Sequence, residues 1–290
     1  MPPWPRARRP SNKNLQAALF MAALRAEIAA MNQPLPETIL VTRDGPIATV
    51  TVNRPEKLNA LNTVTARGLS DAFHMLSAED DLRVVVLRGA GERAFGVGAD
   101  ISEFKERRAD PSQARDYEES WGTGLAECRH PVIALIKGYC VGGSMGLLPD
   151  TDMRIAGESA RFQIPAGKLG ITYGHDDIAK LKRLVSHAHA LEILLEAEMF
   201  SAQRAYEMGL INRVVPDDKV EEEVYATAHR IAEKAPLSAR WHKKFARRLL
   251  DPAPLTPEEL AEPYACFATE DYDTGRAAFA AKTKPQFKGR

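Results

Sequence analysis

Residues 131–146 read PVIALIKGYCVGGSMG. An apolar run closed by a glycine cluster has the pattern of a buried strand ending in an abrupt change of direction. The cluster Gly142–Gly146 also fits G-x-S-x-G, the strand-to-helix turn that presents a nucleophilic serine in α/β-hydrolases. Either Ser144 is a nucleophile, or the glycines clear space around backbone N–H groups. The nucleophile reading expects a helix straight after the serine, and Pro149 falls late for a helix start. It also needs a histidine, and His175, His187, His189, His229 and His242 are not set apart by their surroundings. A pattern with so few constrained positions matches often by chance, so the sequence favours the second reading.

That reading gains from a second turn. VVVLRG, a short apolar strand, precedes AFGVGAD (94–100). Two strand-terminating turns side by side direct two free N–H groups at one spot, an arrangement suited to a carbonyl oxygen that gains charge during reaction. Glycine permits the close approach because it has no Cβ. Ile101 stands where G-x-G-x-x-G requires its third glycine, and no Walker A sequence is present, so a dinucleotide or P-loop site is not expected.

Further out, TILVTRDGPIATVTVNRP reads as two strands around the turn Asp44-Gly45-Pro46. The following segment is a loop and then an amphipathic helix with Leu69, Phe73 and Leu76 on one face. DMRIAG is another strand; from Ile178 onward the pattern is mostly helical, interrupted by AYEMGLINRVVP with Gly209, a short strand and Pro216. Strands alternating with helices predict an α/β fold with a largely parallel sheet.

The 290 residues carry 39 basic and 39 acidic side chains, so no charge excess points to nucleic acid or an anionic membrane. No apolar run is long enough to span a bilayer. Cys128, Cys140 and Cys266 are dispersed, which argues against a zinc site and for a reduced, cytoplasmic protein. Residues 1–26 hold Arg6, Arg8, Arg9, Lys13 and Arg25 without an acid. They read as an extension outside the fold rather than an amphipathic transit peptide. The expected organisation is an extension over 1–36, a core over 37–230 and a helical region over 231–290.

NRPEKLNALN (53–62), AFGVGADISEF (94–104), KGYCVGGSMG (137–146), DMRIAGESARFQIPAGKLGI (152–171), AYEMGLINRVV (205–215) and TEDYDTGRAAFAAKTKPQFKGR (269–290) together resemble the crotonase, or enoyl-CoA hydratase/isomerase, superfamily. The resemblance implies a spiral of ββα repeats forming two sheets, a helical C-terminal trimerisation region, and a homotrimer or dimer of trimers. It implies an enzyme that holds an acyl-CoA thioester enolate in a backbone oxyanion hole, with coenzyme A entering as part of the substrate and no separate cofactor or metal. The matching donors are the N–H groups of Ala99 and Gly143, and GGSMG resembles the family's GGG turn with serine in third place.

By the same resemblance, Lys57, Leu58 and Ala60 line the CoA site, with Val97, Asp100 and Ile101 around the adenine and pantetheine. Tyr139, Gly142, Pro165, Ala166 and Leu169 fall on substrate-lining positions, and Phe279 and Lys282 on residues that close over the CoA. The two hydratase glutamates fall on Gly146 and Ala166, so the paired-carboxylate hydration mechanism does not carry over. The loop LGITYGHDD (169–177) offers Tyr173, His175 and Asp176 as proton-transfer candidates, with Asp176 and Asp177 also suited to capping the next helix. Tyr173 matches a tyrosine of the methylmalonyl-CoA decarboxylase branch. Asp152 matches a structural aspartate, and Asp150 receives no role. Decarboxylation, hydrolysis or isomerisation of an acyl-CoA, and silent acyl-CoA binding, are the alternatives to hydration.

Overall fold

The computed structural model describes residues 34–103 and 123–290; the expected extension over 1–36 lies almost wholly outside them. Strands β1 (Ile39–Asp44) and β2 (Ile47–Val52) form an antiparallel hairpin, with Gly45 at φ 54° in the turn. Helix α1 (Thr63–Ser77) follows, capped by Asn62, whose side chain accepts the Thr65 N–H at 2.9 Å. Next come β3 (Val84–Gly89), β4 (Ala94–Gly96), α2 (Thr123–Glu127), β5 (Val132–Ile136), β6 (Tyr139–Val141) and α3 (Gly143–Leu147). Then β7 (Met153–Gly157), β8 (Arg161–Gln163), α4 (His175–Leu184), α5 (His187–Glu196), β9 (Phe200–Ser201), α6 (Ala202–Glu207) and β10 (Arg213–Val215) complete the strand-bearing part. Helices α7 (Val220–Ala232), α8 (Pro236–Arg248), α9 (Pro257–Ala261) and α10 (Glu270–Ala281) end the chain.

The larger sheet has the order β1-β2-β3-β5-β7-β10, parallel except for the first hairpin. Both of its faces are covered, as a parallel sheet requires. Val85, Leu87, Val132, Ala134 and Ile136 join Leu69, Phe73 and Leu76 of α1 in one core cluster. Val84, Val86, Ile133 and Leu135 join Val220, Val224 and Ala228 of α7 in the other. The two-residue period of the strands sends alternate side chains to opposite layers, which is why VVV and VIALI read as unbroken apolar runs.

The second sheet, β4-β6-β8-β9, is where simple sequence patterning falls short. PVIALIKGYCV is not one strand: it leaves the large sheet after Ile136 and enters the small one at Tyr139. Gly138 makes the turn at φ 61°, where a Cβ would stand 2.0 Å from the Arg93 carbonyl oxygen. The strands of this sheet are two or three residues long, too short for a period to register. Phe200–Ser201 lies inside a stretch that the sequence reads as helical.

Helix α8 is fastened by charge. Asp152 accepts the Val132 N–H at 2.7 Å and lies 2.6 Å from the ammonium of Lys243, whose side chain is 6% exposed. Arg247 Nη2 donates to the Asp150 carbonyl at 3.0 Å. Asp152 therefore has the structural role expected for it.

Candidate active site

The two glycine turns meet. Gly98 has φ 85°, and a Cβ there would lie 2.6 Å from Gly143 N and 3.0 Å from the Val141 carbonyl oxygen. Only glycine lets the backbones come this close. Ser144 braces the contact: its Oγ accepts the Gly98 N–H at 3.0 Å, and a Cβ on Gly96 would sit 2.3 Å from it. Ser144 is 1% exposed, so it presents no nucleophile. The proline argument against a helix here is corrected as well. Helix α3 begins at Gly143, and Pro149 lies in the first turn of the separate 3-10 helix Leu148–Asp150, where its missing N–H costs nothing.

The contact leaves two donors unused. Leu61 bridges to Ala99 by donating to the Gly98 carbonyl at 2.7 Å and accepting from Asp100 N–H at 2.9 Å. Those bonds flank Ala99, so its own N–H faces away from Leu61. Gly143 is the first residue of α3, where an N–H has no acceptor within the helix. Among the described residues, neither N–H has a backbone or side-chain acceptor.

Around these turns the loop Arg54–Ala60 is locked from inside. Leu58 (φ 51°) and Asn59 (φ 57°) are left-handed. The Asn59 side chain, 1% exposed, accepts the Arg54 N–H at 3.0 Å and donates to Ala90 O and Ala94 O at 3.0 and 2.7 Å. Arg54 Nη1 donates to Ala60 O at 2.6 Å and Nη2 to Asp100 Oδ2 at 2.9 Å. Asp100 Oδ1 accepts from the Ser102 hydroxyl and N–H. The Ser102 hydroxyl, with Arg54 beside it, holds the Asp100 carboxyl below its ordinary range. Asp100 thus stitches two loops together with its side chain. Of the other expected CoA-site residues, Lys57 is exposed, Leu58 and Val97 are half-buried and Ala60 is buried. Ile101, Tyr139 and Leu169 are exposed apolar side chains on the surface. Pro165 and Gly142 are half-buried, and Lys282 is exposed at the left-handed end of α10. Phe279 is 88% exposed.

The side of the site that would move protons is reorganised. A Cβ on Gly146 would meet nothing within 4 Å, and Ala166 is a buried methyl group at 7% exposure. Tyr173 is half-buried against the core. Gly174, not an aspartate, is the N-cap of α4, which corrects the capping expectation. His175 and Asp176 follow it and are both exposed.

Asp177 is different: it is half-buried, and burial pushes its carboxyl up against the opposing pull of Lys180 and the Gly174 N–H. Lys180 Nζ lies 2.8 Å from Oδ2 of Asp150, which is 6% exposed. The sequence reading passed over this group. Its signal was spacing: Gly146 and Asp150 are four apart, Asp177 and Lys180 three apart, so each pair shares a helical face.

Comparison with known proteins gives a consistent result. The family model described as enoyl-CoA hydratase/isomerase matches residues 42–290. A short-chain-enoyl-CoA hydratase of Clostridium acetobutylicum is 33% identical over 261 residues, covering 87% of this chain and 98% of the relative. A carnitinyl-CoA dehydratase of Salmonella typhi is 30% identical over 267 residues, with 88% and 99% covered. The crystal structure of an enoyl-CoA hydratase/carnithine racemase from Magnetospirillum magneticum superposes with a TM-score of 0.86 at 45% identity, covering 88% of this chain and 97% of the other.

Proposed function

The chain belongs to the enoyl-CoA hydratase/isomerase family, and from that premise we propose that it binds an acyl-CoA thioester and stabilises its enolate with the N–H groups of Ala99 and Gly143. The observation that carries this reading is the junction of the two glycine turns, where Gly98 packs on Gly143 N and both donors lack an acceptor among the described residues. Hydrogen bonds aimed at the thioester oxygen strengthen as that oxygen gains charge, and each such donor is worth roughly 10²–10³ in rate. The thioester oxygen is the group that meets them. The CoA moiety runs past the Arg54–Ala60 loop and Ile101, with Phe279 and Lys282 closing over it in an oligomer of identical chains.

The chemistry at Cα and Cβ is enolate chemistry without the two-glutamate water site, because Gly146 and Ala166 supply no carboxylate. Incubation with crotonyl-CoA, followed by loss of the conjugated thioester's ultraviolet absorbance and by product mass, tests this. The expected result is saturable binding of the thioester with little water added. Fast hydration would overturn the claim that the glutamates are needed. Absence of binding by any acyl-CoA would overturn the thioester reading itself.

A further inference from the structure

The first turn of α4 divides its acids between two environments. His175 and Asp176 are exposed, whereas Asp177, Lys180 and Leu184 are half-buried and Leu181 is buried. Positions 177, 180, 181 and 184 form one helical stripe. That stripe packs on α3 and on the 3-10 turn Leu148–Asp150. Within this facing segment Gly146 and Asp150 stand one turn apart. The Gly146 end is open, and the Asp150 end is closed by its ion pair with Lys180. Two features point this side of the site at a ligand: the open space where a glutamate would stand, and the two unused N–H donors of the same helix start and its neighbouring turn.

We propose that the Asp177 carboxyl, backed by the Lys180–Asp150 pair, is the proton-transfer group of this site and stands in for the absent glutamates. The proposal rests on the thioester reading above. Lys180 is already neutralised by buried Asp150, and no cation among the described residues lies within ion-pair distance of Asp177. The charged groups that face Asp177 are Asp176 and Lys180 of its own helix and Asp150 of the facing turn; the Gly174 N–H is its hydrogen-bond partner. Burial raises the carboxyl, which brings its proton affinity toward neutral pH, where a group that both takes and returns a proton works best.

In the step itself, the Cα–H bond of the thioester breaks and its proton passes to an Asp177 carboxylate oxygen. The electron pair of that bond forms the enolate double bond, and charge moves to the thioester oxygen held by Ala99 and Gly143. Return of a proton from Asp177 reverses the step. Lys180 and Asp150 are positioning residues: they set the charge around Asp177 without touching the substrate.

The test uses butyryl-CoA as the probe, with binding read by calorimetry and exchange of its Cα hydrogens in D2O read by mass spectrometry. The wild-type chain is expected to bind and to exchange. Asp177→Asn should bind within about threefold and exchange at least ~100-fold more slowly, the scale of a general base. Lys180→Met removes a nearby positive charge, so the acid limb of the exchange profile should move to higher pH; a merely structural Lys180 would change stability and leave that limb in place. Undiminished exchange in Asp177→Asn, an equal loss in Asp176→Asn, or binding without exchange in the wild type each overturns the proposal while leaving the thioester reading intact. Failure to bind butyryl-CoA overturns both.

Discussion

At the scale of single residues, the site is governed by what glycine permits and what Ser144 holds. Gly98→Ala forces a Cβ into the 2.6 Å gap to Gly143 N at φ 85°. The two turns must then part, and turnover of whichever acyl-CoA the enzyme accepts should drop by at least ~100-fold, the worth of one oxyanion donor. Steady-state kcat/KM on that substrate checks it. Ser144→Ala should leave Gly98 N–H without its acceptor and cost about 1–3 kcal/mol in urea unfolding. The wild-type serine should also resist fluorophosphonate labelling, since it is buried. Gly146→Glu has open space to enter and improves helix propensity. It is expected to raise crotonyl-CoA hydration severalfold with little change in Tm; an unchanged rate would show that one carboxylate at this position is not sufficient.

At the scale of elements, the fastening of α8 sets how far the helical region can be perturbed. Lys243 is buried, burial pushes its ammonium down, and Asp152 opposes that shift. Asp152→Ala strands the ammonium and should cost about 3 kcal/mol or more. The loop between α2 and β5 carries His130, which is fully buried. Burial first, then the positive charges of Arg240, Arg129 and Lys243, depress it to about 4. Its folded value lies below the ordinary 6.5, so between those values the unfolded chain binds the extra proton. Stability should therefore fall as pH falls through this window, by about 2 kcal/mol between pH 7 and pH 5 from this group. His130→Leu should flatten that part of the urea-unfolding profile.

The hairpin β1–β2, helix α1 and strands β3, β5 and β7 were legible in the sequence, because their period repeats for five residues or more. The small sheet was not, because two- and three-residue strands are made by pairing partners distant in the chain.

For the whole molecule, the C-terminal helices present large apolar side chains that one chain leaves in water: Leu249, Tyr264, Phe267 and Phe279. An exposed apolar surface of this kind marks an interface or a ligand-covered face. Light scattering is expected to give the mass of three or six chains. Acyl-CoA is expected to stabilise that assembly by mass action, seen as a Tm that rises with ligand concentration. A monomer would assign the apolar face to another partner. No helix among the described residues is long and apolar enough to cross a membrane.

Alone, the sequence determined the family, the order of the long elements and the two glycine turns. These depend on local rules: side-chain period, the reach of a residue without a Cβ, and motif order along the chain. It also determined that Gly146 and Ala166 carry no carboxylate. Only the tertiary structure decided that Ser144 is a brace rather than a nucleophile, that His175 and Asp176 are exposed, and that Asp177 shares a packed face with Lys180 and buried Asp150. The physical reason is that burial and charge pairing arise between segments 30 or so residues apart. Proton affinity depends on those surroundings, and no local pattern encodes them.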